Sequence, residues 1–158
     1  MPTLHVTSRF ELSPESLWEL SSSPPQLVRS TPADLRLQVQ PANLPLARGS
    51  RLIYTLRTRC RATWTARVTW FREGSGFACQ QESGSFGLWS FQRQLKEISG
   101  GTLLADELHY RLEGVFLAPL VDLLWARKLA TRLLVESHQL AGGLLRVPPR
   151  EILCQWQG

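Results

Sequence analysis

The sequence predicts an α+β fold in which an antiparallel sheet of short strands packs against one long C-terminal helix. Between residues 35 and 112 the chain alternates apolar and polar residues in short runs that turn residues separate, which is typical of antiparallel strands in a meander. Beyond residue 118 the apolar spacing becomes that of an amphipathic helix. A length of 158 residues suits one domain, which we place at 1–145. We expect the tail at 146–158 to be irregular.

The first predicted strand spans residues 4–12 and ends before a helix signal. Its apolar face carries Leu4, Val6, Ser8 and Phe10. Ser13 then offers an N-cap, and Pro14 occupies the first helical position. We therefore expect a short helix at 14–20 and a second one around 26–30.

The period-two region predicts the strands of the meander, ending in a hairpin at 86–112. The earlier strands are expected at 35–40, 51–58, 62–71 and 77–83. If Gly100 and Gly101 form a two-residue turn, Ser99 faces Thr102. Arg93 and Asp106 then lie on the apolar face of the hairpin as diagonal neighbours, within reach of each other.

A long helix is predicted from Pro119 to about Ala141, where Gly142 and Gly143 would stop it. Its predicted inner face comprises Leu120, Leu123, Ala126, Ala130, Leu133, Leu134, Ser137, Leu140 and Ala141. His138 falls at the flank of this stripe. The small residues on the inner face would leave space against the sheet.

In its motifs and their order, the chain resembles the START-like, or polyketide cyclase/dehydrase (SRPBCC), superfamily. The matching segments are FELSPESLWEL at 10–20, W-x-A-x-V at 64–68, FACQQESGSF at 77–86, WSFQRQL at 89–95, GGTLLADELHY at 100–110 and the late-helix LLVESH. The resemblance implies the helix-grip fold: a curved seven-stranded antiparallel sheet around a long C-terminal helix, with two short helices after strand 1 and a ligand cavity between sheet and helix. Phe91 and Arg93 stand where many relatives carry histidines, and Cys79 and Ser85 also depart from the family pattern.

Arg93 and Asp106 are the polar residues that this arrangement directs inward. One interpretation is a buried ion pair that fixes the hairpin, and the other is a polar anchor for a ligand; the two are compatible. The full set predicted to bind ligand is Tyr54, Gln81, Trp89, Phe91, Arg93, Asp106, Leu108, Tyr110, Leu123 and Ala130.

The predicted function is to bind or carry a small hydrophobic molecule, such as a lipid, a quinone or an aromatic polyketide. A first alternative is an aromatase/cyclase-like enzyme that moves protons with Asp106, Tyr110 and Arg93. A second alternative is an interaction module of the quinone-chaperone or co-chaperone type. No cofactor is predicted, and no metal site, since the three histidines lack metal-ligand spacing.

Composition narrows the partners and the compartment. The net charge is +5, but the arginines are scattered, which argues against a nucleic-acid partner. The three cysteines include no C-x-x-C pair, and no apolar run is long enough for stable membrane insertion. We expect a cytoplasmic protein without a signal peptide, present as a monomer or a homodimer.

Overall fold

The computed structural model describes residues 1–41, 45–58, 61–113 and 125–158. Its elements, in chain order, are β1 (Thr3–Phe10), α1 (Pro14–Ser22), α2 (Pro24–Arg29), a 3-10 turn (Ala33–Leu35), β2 (Gln38–Pro41), β3 (Arg51–Arg57), β4 (Arg61–Arg72), β5 (Gly76–Gly84), β6 (Phe86–Ile98), β7 (Gly101–Leu112), α3 (Arg127–Leu145) and β8 (Arg150–Gln157). The α+β class and the two short helices after the first strand are confirmed.

The strands in the described part of the chain form one antiparallel sheet in the order β2-β3-β4-β5-β6-β7-β1-β8. One face of the sheet carries the apolar residues of each strand, and α3 lies against it. The short strand β2 is one edge of the sheet. Strands β2 to β7 follow one another in the sheet as they do in the chain, and β1 pairs with the last of them, β7. This is the helix-grip arrangement that the resemblance implies.

Within the described ranges the sheet has eight strands rather than seven. We expected the C-terminal tail to be irregular, but part of it forms the eighth strand. Residues 150–157 pair with β1, from Thr3 opposite Gln157 to Arg9 opposite Arg150. The indole of Trp156 donates a hydrogen bond to Thr131 Oγ1 at 3.0 Å, which joins β8 to α3. Most side chains of this strand are exposed on both faces of the sheet. Its sequence therefore shows little alternation of apolar and polar residues.

The β6–β7 hairpin has a register two residues away from the predicted one. Ile98 pairs with Gly101, so Ser99 and Gly100 form the turn, and Arg93 lies directly opposite Asp106. A shift of two residues keeps every side chain on its predicted face, because the side-chain period of a strand is two. Gly101 belongs to the strand because it passes very close to β1: a Cβ built there would lie 1.9 Å from the carbonyl oxygen of Phe10.

Two neighbouring glycines offer a matched test of this register. Gly100 and Gly101 both have positive φ, 82° and 159°, so alanine is strained at either position. Only the Cβ at Gly101 meets another atom; none lies within 4 Å of it at Gly100. We expect Gly100→Ala to cost about 1–2 kcal/mol and Gly101→Ala to cost clearly more, measured by urea unfolding. Equal losses would contradict the observed turn.

Helix α3 ends at Leu145, beyond the predicted stop at Ala141. Arg146, in the left-handed conformation with φ 57°, forms the C-cap and donates its backbone N–H to Gly142 and Gly143. Gly142 is needed for a different reason: a Cβ there would lie 2.9 Å from the carbonyl oxygen of Val147, where the chain turns back over the helix. The predicted start of the helix at Pro119 lies outside the described residues.

Of the predicted inner-face positions of the helix, Leu120 and Leu123 lie outside the described residues, and Leu133 is half-buried. Ala126, Ala130, Leu134, Ser137 and Ala141 are buried. Two positions differ: Leu140 is 39% exposed, whereas His138 is completely buried. The buried stripe is therefore centred closer to His138 than the sequence analysis placed it.

Candidate functional site

A cavity of about 260 Å³ lies between the apolar face of the sheet and helix α3. Strands β2 to β7 supply one side of its wall, and helix α3 with the segment just before it supplies the other; residues of α2 and of the segment after it complete the lining. Small side chains, such as Ala130 on α3 and Ala126 just before it, leave this space open, as the sequence predicted. Among the described residues that line the cavity, Arg93 is the only charged one.

One wall of the cavity is a cluster of aromatic rings. Tyr54 stacks on Trp64 with ring centroids 5.1 Å apart and nearly parallel planes. Trp89 lies within 5.5 Å of both rings, and Phe86 meets Trp64 edge to face at 5.2 Å. These residues share one face because each strand directs alternate side chains to the same side. The cluster offers a flat, polarizable surface to a ligand.

At the polar end of the cavity, Arg93 forms a bidentate ion pair with Asp106. Nε donates to Oδ1 at 2.7 Å and Nη2 donates to Oδ2 at 2.5 Å. The exposed fraction is 6% for Arg93 and 2% for Asp106, so the pair is inside the protein. The third guanidinium nitrogen, Nη1, has no hydrogen-bond partner among the described residues, and Arg93 lines the cavity.

Asp106 is held as a carboxylate. Burial alone would raise the pKa of Asp106, but the charge and hydrogen bonds of Arg93, with a smaller effect of His138, outweigh burial and leave the pKa well below its ordinary value. For Arg93, burial works to lower the pKa, yet the pKa is raised because Asp106 stabilises the charged form. The pair is therefore charged on both sides throughout the neutral range.

Behind the ion pair, two further buried side chains extend the polar network away from the cavity. His138 Nε2 lies 3.0 Å from Asp106 Oδ2, and His138 Nδ1 lies 2.6 Å from the hydroxyl of Ser8. His138 and Ser8 are both fully buried. The network thus connects four elements, β6, β7, α3 and β1, at the deep side of the cavity.

The hydroxyl of Tyr54 lies close to this polar end. It lies 3.8 Å from the thiol of Cys79, and its pKa is raised well above the ordinary value, chiefly because the ring is buried. Burial also raises the pKa of Cys79 to about 12. Tyr54 therefore keeps its proton and can donate a hydrogen bond, and Cys79 is an unreactive thiol rather than a nucleophile.

These thiol properties give a direct prediction. Iodoacetamide at pH 8 should modify the exposed Cys154 of the folded protein well before the buried Cys79. Peptide mass spectrometry with time would follow the two sites separately. Equal rates at the two cysteines would show that the region around Cys79 opens readily.

Seven of the ten residues predicted to bind ligand line the cavity: Tyr54, Trp89, Phe91, Arg93, Leu108, Tyr110 and Ala130. Asp106 contacts Arg93 but does not itself line the cavity. Gln81 is also absent from the lining, because its side chain turns to donate a hydrogen bond to the carbonyl oxygen of Phe86 at 2.7 Å. Leu123 lies outside the described residues.

His138 and Trp64 are two of the site residues that the predicted ligand-binding set did not include. Trp64 belongs to the W-x-A-x-V motif of its strand, and in the structure it forms part of the aromatic wall. His138 follows Ala130 and Leu134 at helical spacing, a signal that predicts the same face. Its partner Ser8 lies 130 positions earlier in the chain, and no local pattern connects the two.

The described residues were also compared with what a metal site and a membrane span require. Across residues 1–41, 45–58, 61–113 and 125–158, no group of three or more His, Cys, Asp or Glu side chains is arranged to hold a metal ion. Over the same ranges, no helix has the length and apolar character needed to cross a membrane.

Solved structures show the same fold with low sequence identity. A conserved protein from Geobacillus kaustophilus matches with a TM-score of 0.72 and 10% identity, over 97% of this chain and 99% of that one. TTHA0849 from Thermus thermophilus matches with a TM-score of 0.71 and 15% identity, over 91% and 94%. Ara h 8.0201 matches with a TM-score of 0.64 and 14% identity, over 91% and 97%. No family model matches the chain, and no curated protein matches it by sequence.

Proposed function

We propose that this protein binds one small, largely apolar molecule in the cavity between its sheet and helix α3. The observation that carries the proposal is a cavity of about 260 Å³ whose described lining is apolar apart from a few hydroxyls and a single charged group, Arg93. Such a combination is typical of sites that gain affinity from buried apolar area and orientation from a few polar groups. The shared fold with the solved structures is compatible with this role.

The walls favour one kind of ligand among those considered from the sequence. Stacked rings at Tyr54, Trp64 and Trp89 suit a flat ring system better than a flexible acyl chain. Arg93 Nη1 and the Tyr54 hydroxyl can each donate a hydrogen bond to a ligand, so the ligand should carry an acceptor oxygen at that end. A quinone or an aromatic polyketide meets both requirements more closely than a simple lipid does.

The enzyme alternative gains less support from the geometry. Asp106 is paired with Arg93 and does not line the cavity, so it is poorly placed to take a proton from a ligand. Tyr54 has a raised pKa and holds its proton too tightly to act as a base. The interaction-module alternative stays a prediction.

Binding can be tested with a neutral two-ring probe, methyl 2-naphthoate. The indoles of Trp64 and Trp89 lie in the cavity wall, so we expect saturable, one-to-one changes in tryptophan fluorescence on titration. Native mass spectrometry of the protein purified from its own host should in addition show a retained small molecule. An absence of saturable binding for ring probes, together with ligand-free protein from the host, would refute the proposal.

A further inference from the structure

The last strand, β8, forms an edge of the sheet. It pairs with β1 on one side, and no described strand lies on its other side. We propose that this edge pairs antiparallel with β8 of a second copy of the chain, around a two-fold axis at Cys154. The inference concerns a surface outside the cavity, so it does not depend on the proposed function. The sequence analysis left a monomer and a homodimer open, and this surface favours the homodimer.

The two edges of the sheet differ in their protection against such pairing. Natural edge strands are commonly short or carry charged residues or proline, because their free backbone groups would otherwise pair with another chain. β2 has four residues and ends in Pro41. β8 has eight residues, and its stretch ILCQWQ at 152–157 contains neither a charged residue nor a proline. The β8 edge therefore lacks the sequence features that block pairing.

The charged residues at the start of β8 are engaged within their own chain. Arg150 Nη2 lies 3.1 Å from a carboxylate oxygen of Glu11, and a carboxylate oxygen of Glu151 lies 3.5 Å from Arg9 Nε. Glu151 has a φ of 52°, and the register of β8 against β1 shifts in this part of the strand. The regular strand begins after Glu151, so a partner strand would meet only uncharged side chains there.

Symmetry restricts the position of the axis. Directly opposite residues of two antiparallel strands send their side chains to the same face, and side chains alternate along each strand. A strand can therefore pair with its own copy around a single residue, but not around a point between two residues. An axis at Leu153 would bring the irregular Glu151 into the ladder, whereas an axis at Cys154 pairs residues 152–156, all within the regular strand.

The axis at Cys154 also gives favourable side-chain pairs. Ile152, Cys154 and Trp156 share the face of the sheet on which α3 lies. Ile152 of each copy would lie opposite Trp156 of the other, and a β-branched residue opposite an aromatic ring is a stabilising cross-strand pair. With an axis at Gln155, Ile152 would instead lie opposite Gly158, which has no side chain to offer.

The second copy would cover apolar surface that one copy leaves exposed. Leu153 is 58% exposed, and Ile152 and Trp156 are only partly buried. These three residues are consecutive or nearly so along the free edge, which concentrates the exposed apolar area where the partner strand would lie. Pairing of the two edges would therefore bury apolar area as well as satisfy backbone groups.

The surface of α3 next to β8 is complementary in charge to itself. Helix α3 runs antiparallel to β8: Arg127 at its start donates a hydrogen bond to the carbonyl oxygen of Gly158 at 3.1 Å, and only residues 146–149 separate its end from β8. An open groove beside α3 is lined by Arg127 and Lys128 at one end and by Glu136 towards the other. The two-fold axis would direct the basic end of one groove towards Glu136 of the other copy, which supports a second copy as the occupant.

Sedimentation velocity over a roughly hundredfold range of protein concentration tests the association, since the dimer fraction rises with concentration. We expect a reversible shift from the monomer of 17.9 kDa towards twice that mass. Cys154→Lys should abolish the shift, because two positive charges would lie directly opposite each other at the axis. Gln38→Lys, the matched control, adds the same charge at an exposed position of the other edge strand and should leave the shift unchanged.

Oxidation of the wild-type protein tests the register. Directly opposite Cα atoms of antiparallel strands lie about 4.5–5.5 Å apart, a separation that a disulfide can span. Diamide should therefore join two copies through Cys154: each thiol loses one proton and one electron, and diamide takes up both pairs to become the hydrazine. Peptide mass spectrometry would identify the joined peptide. Cys154→Ser should remain a reversible dimer that diamide does not join.

The outcomes decide the inference without affecting the proposed function. A sedimentation coefficient that stays at the monomer value at every concentration would overturn it, and so would a dimer that persists in Cys154→Lys. A wild-type dimer that forms no disulfide, or one between other cysteines, would also overturn it. If Cys154→Lys does not fold, the wild-type sedimentation and the disulfide decide the question. Binding of methyl 2-naphthoate in the cavity is measured separately, so failure here leaves the proposed function standing.

Discussion

Replacing Asp106 with asparagine is expected to destabilise the protein by about 3–5 kcal/mol, the usual cost of breaking a buried ion pair. The substitution preserves the shape of the side chain but leaves Arg93 charged, 6% exposed and without a carboxylate. Because the guanidinium cannot lose its proton in a protein, its charge stays uncompensated. Urea unfolding, followed by tryptophan fluorescence, would measure the loss.

Two further variants make this expectation specific. Arg93→Met combined with Asp106→Leu removes both charges, and it should recover much of the lost stability, since replacing a whole buried pair by apolar residues is often neutral. Asp34→Asn breaks another bidentate pair, with Arg132, but that pair is on the surface and the change in stability should be small. Similar losses of stability in Asp34→Asn and Asp106→Asn would mean that burial of the pair between Arg93 and Asp106 does not increase the cost of breaking it.

The same carboxylate sets a pH dependence of stability. The folded-state pKa of Asp106 lies below its ordinary value of 3.8, so the folded protein binds fewer protons than the unfolded chain near that value. The stability from this group is fully present above pH 5 and is lost progressively as the pH falls towards the folded pKa. Asp106→Asn should therefore show a flatter loss of stability between pH 5 and pH 3 than the wild type.

The sequence could predict which residues face the cavity because that information is periodic. Alternation along β6 and β7 placed Trp89, Arg93 and Tyr110 on one face, and an even register error left those faces unchanged. The sequence around the two glycines does not indicate which of them forms the turn. It depends on the close approach of Gly101 to Phe10, a contact between two strands that are distant in sequence.

The parts of the site that the sequence did not predict depend on contacts between distant segments. His138 looks like a flanking residue on a helical wheel, and it becomes central only when Ser8 and Asp106 meet it. Strand β8 exposes most of its side chains, so its alternation is faint, and its place in the sheet is fixed by pairing with β1. Periodicity predicts faces, whereas tertiary pairing decides which polar groups become partners.

Replacing Ala130 with tryptophan is expected to abolish most ligand binding while the protein stays folded. Ala130 is 7% exposed, and its methyl group lines the cavity from α3. An indole at this position would occupy a large share of the space of about 260 Å³. The affinity for methyl 2-naphthoate should fall at least tenfold, equivalent to about 1.4 kcal/mol. Stability should change by no more than about 1–3 kcal/mol, the usual cost of added volume in a packed core.

Gln139→Trp provides the matched control, because it adds the same side chain to the same helix at an exposed position. Probe titration and urea unfolding on both variants separate occupation of the cavity from damage to the helix. We expect Gln139→Trp to bind the probe as the wild type does. A cavity filled by an indole has no room for methyl 2-naphthoate as well. Undiminished binding in a folded Ala130→Trp protein would therefore place the ligand elsewhere on the molecule.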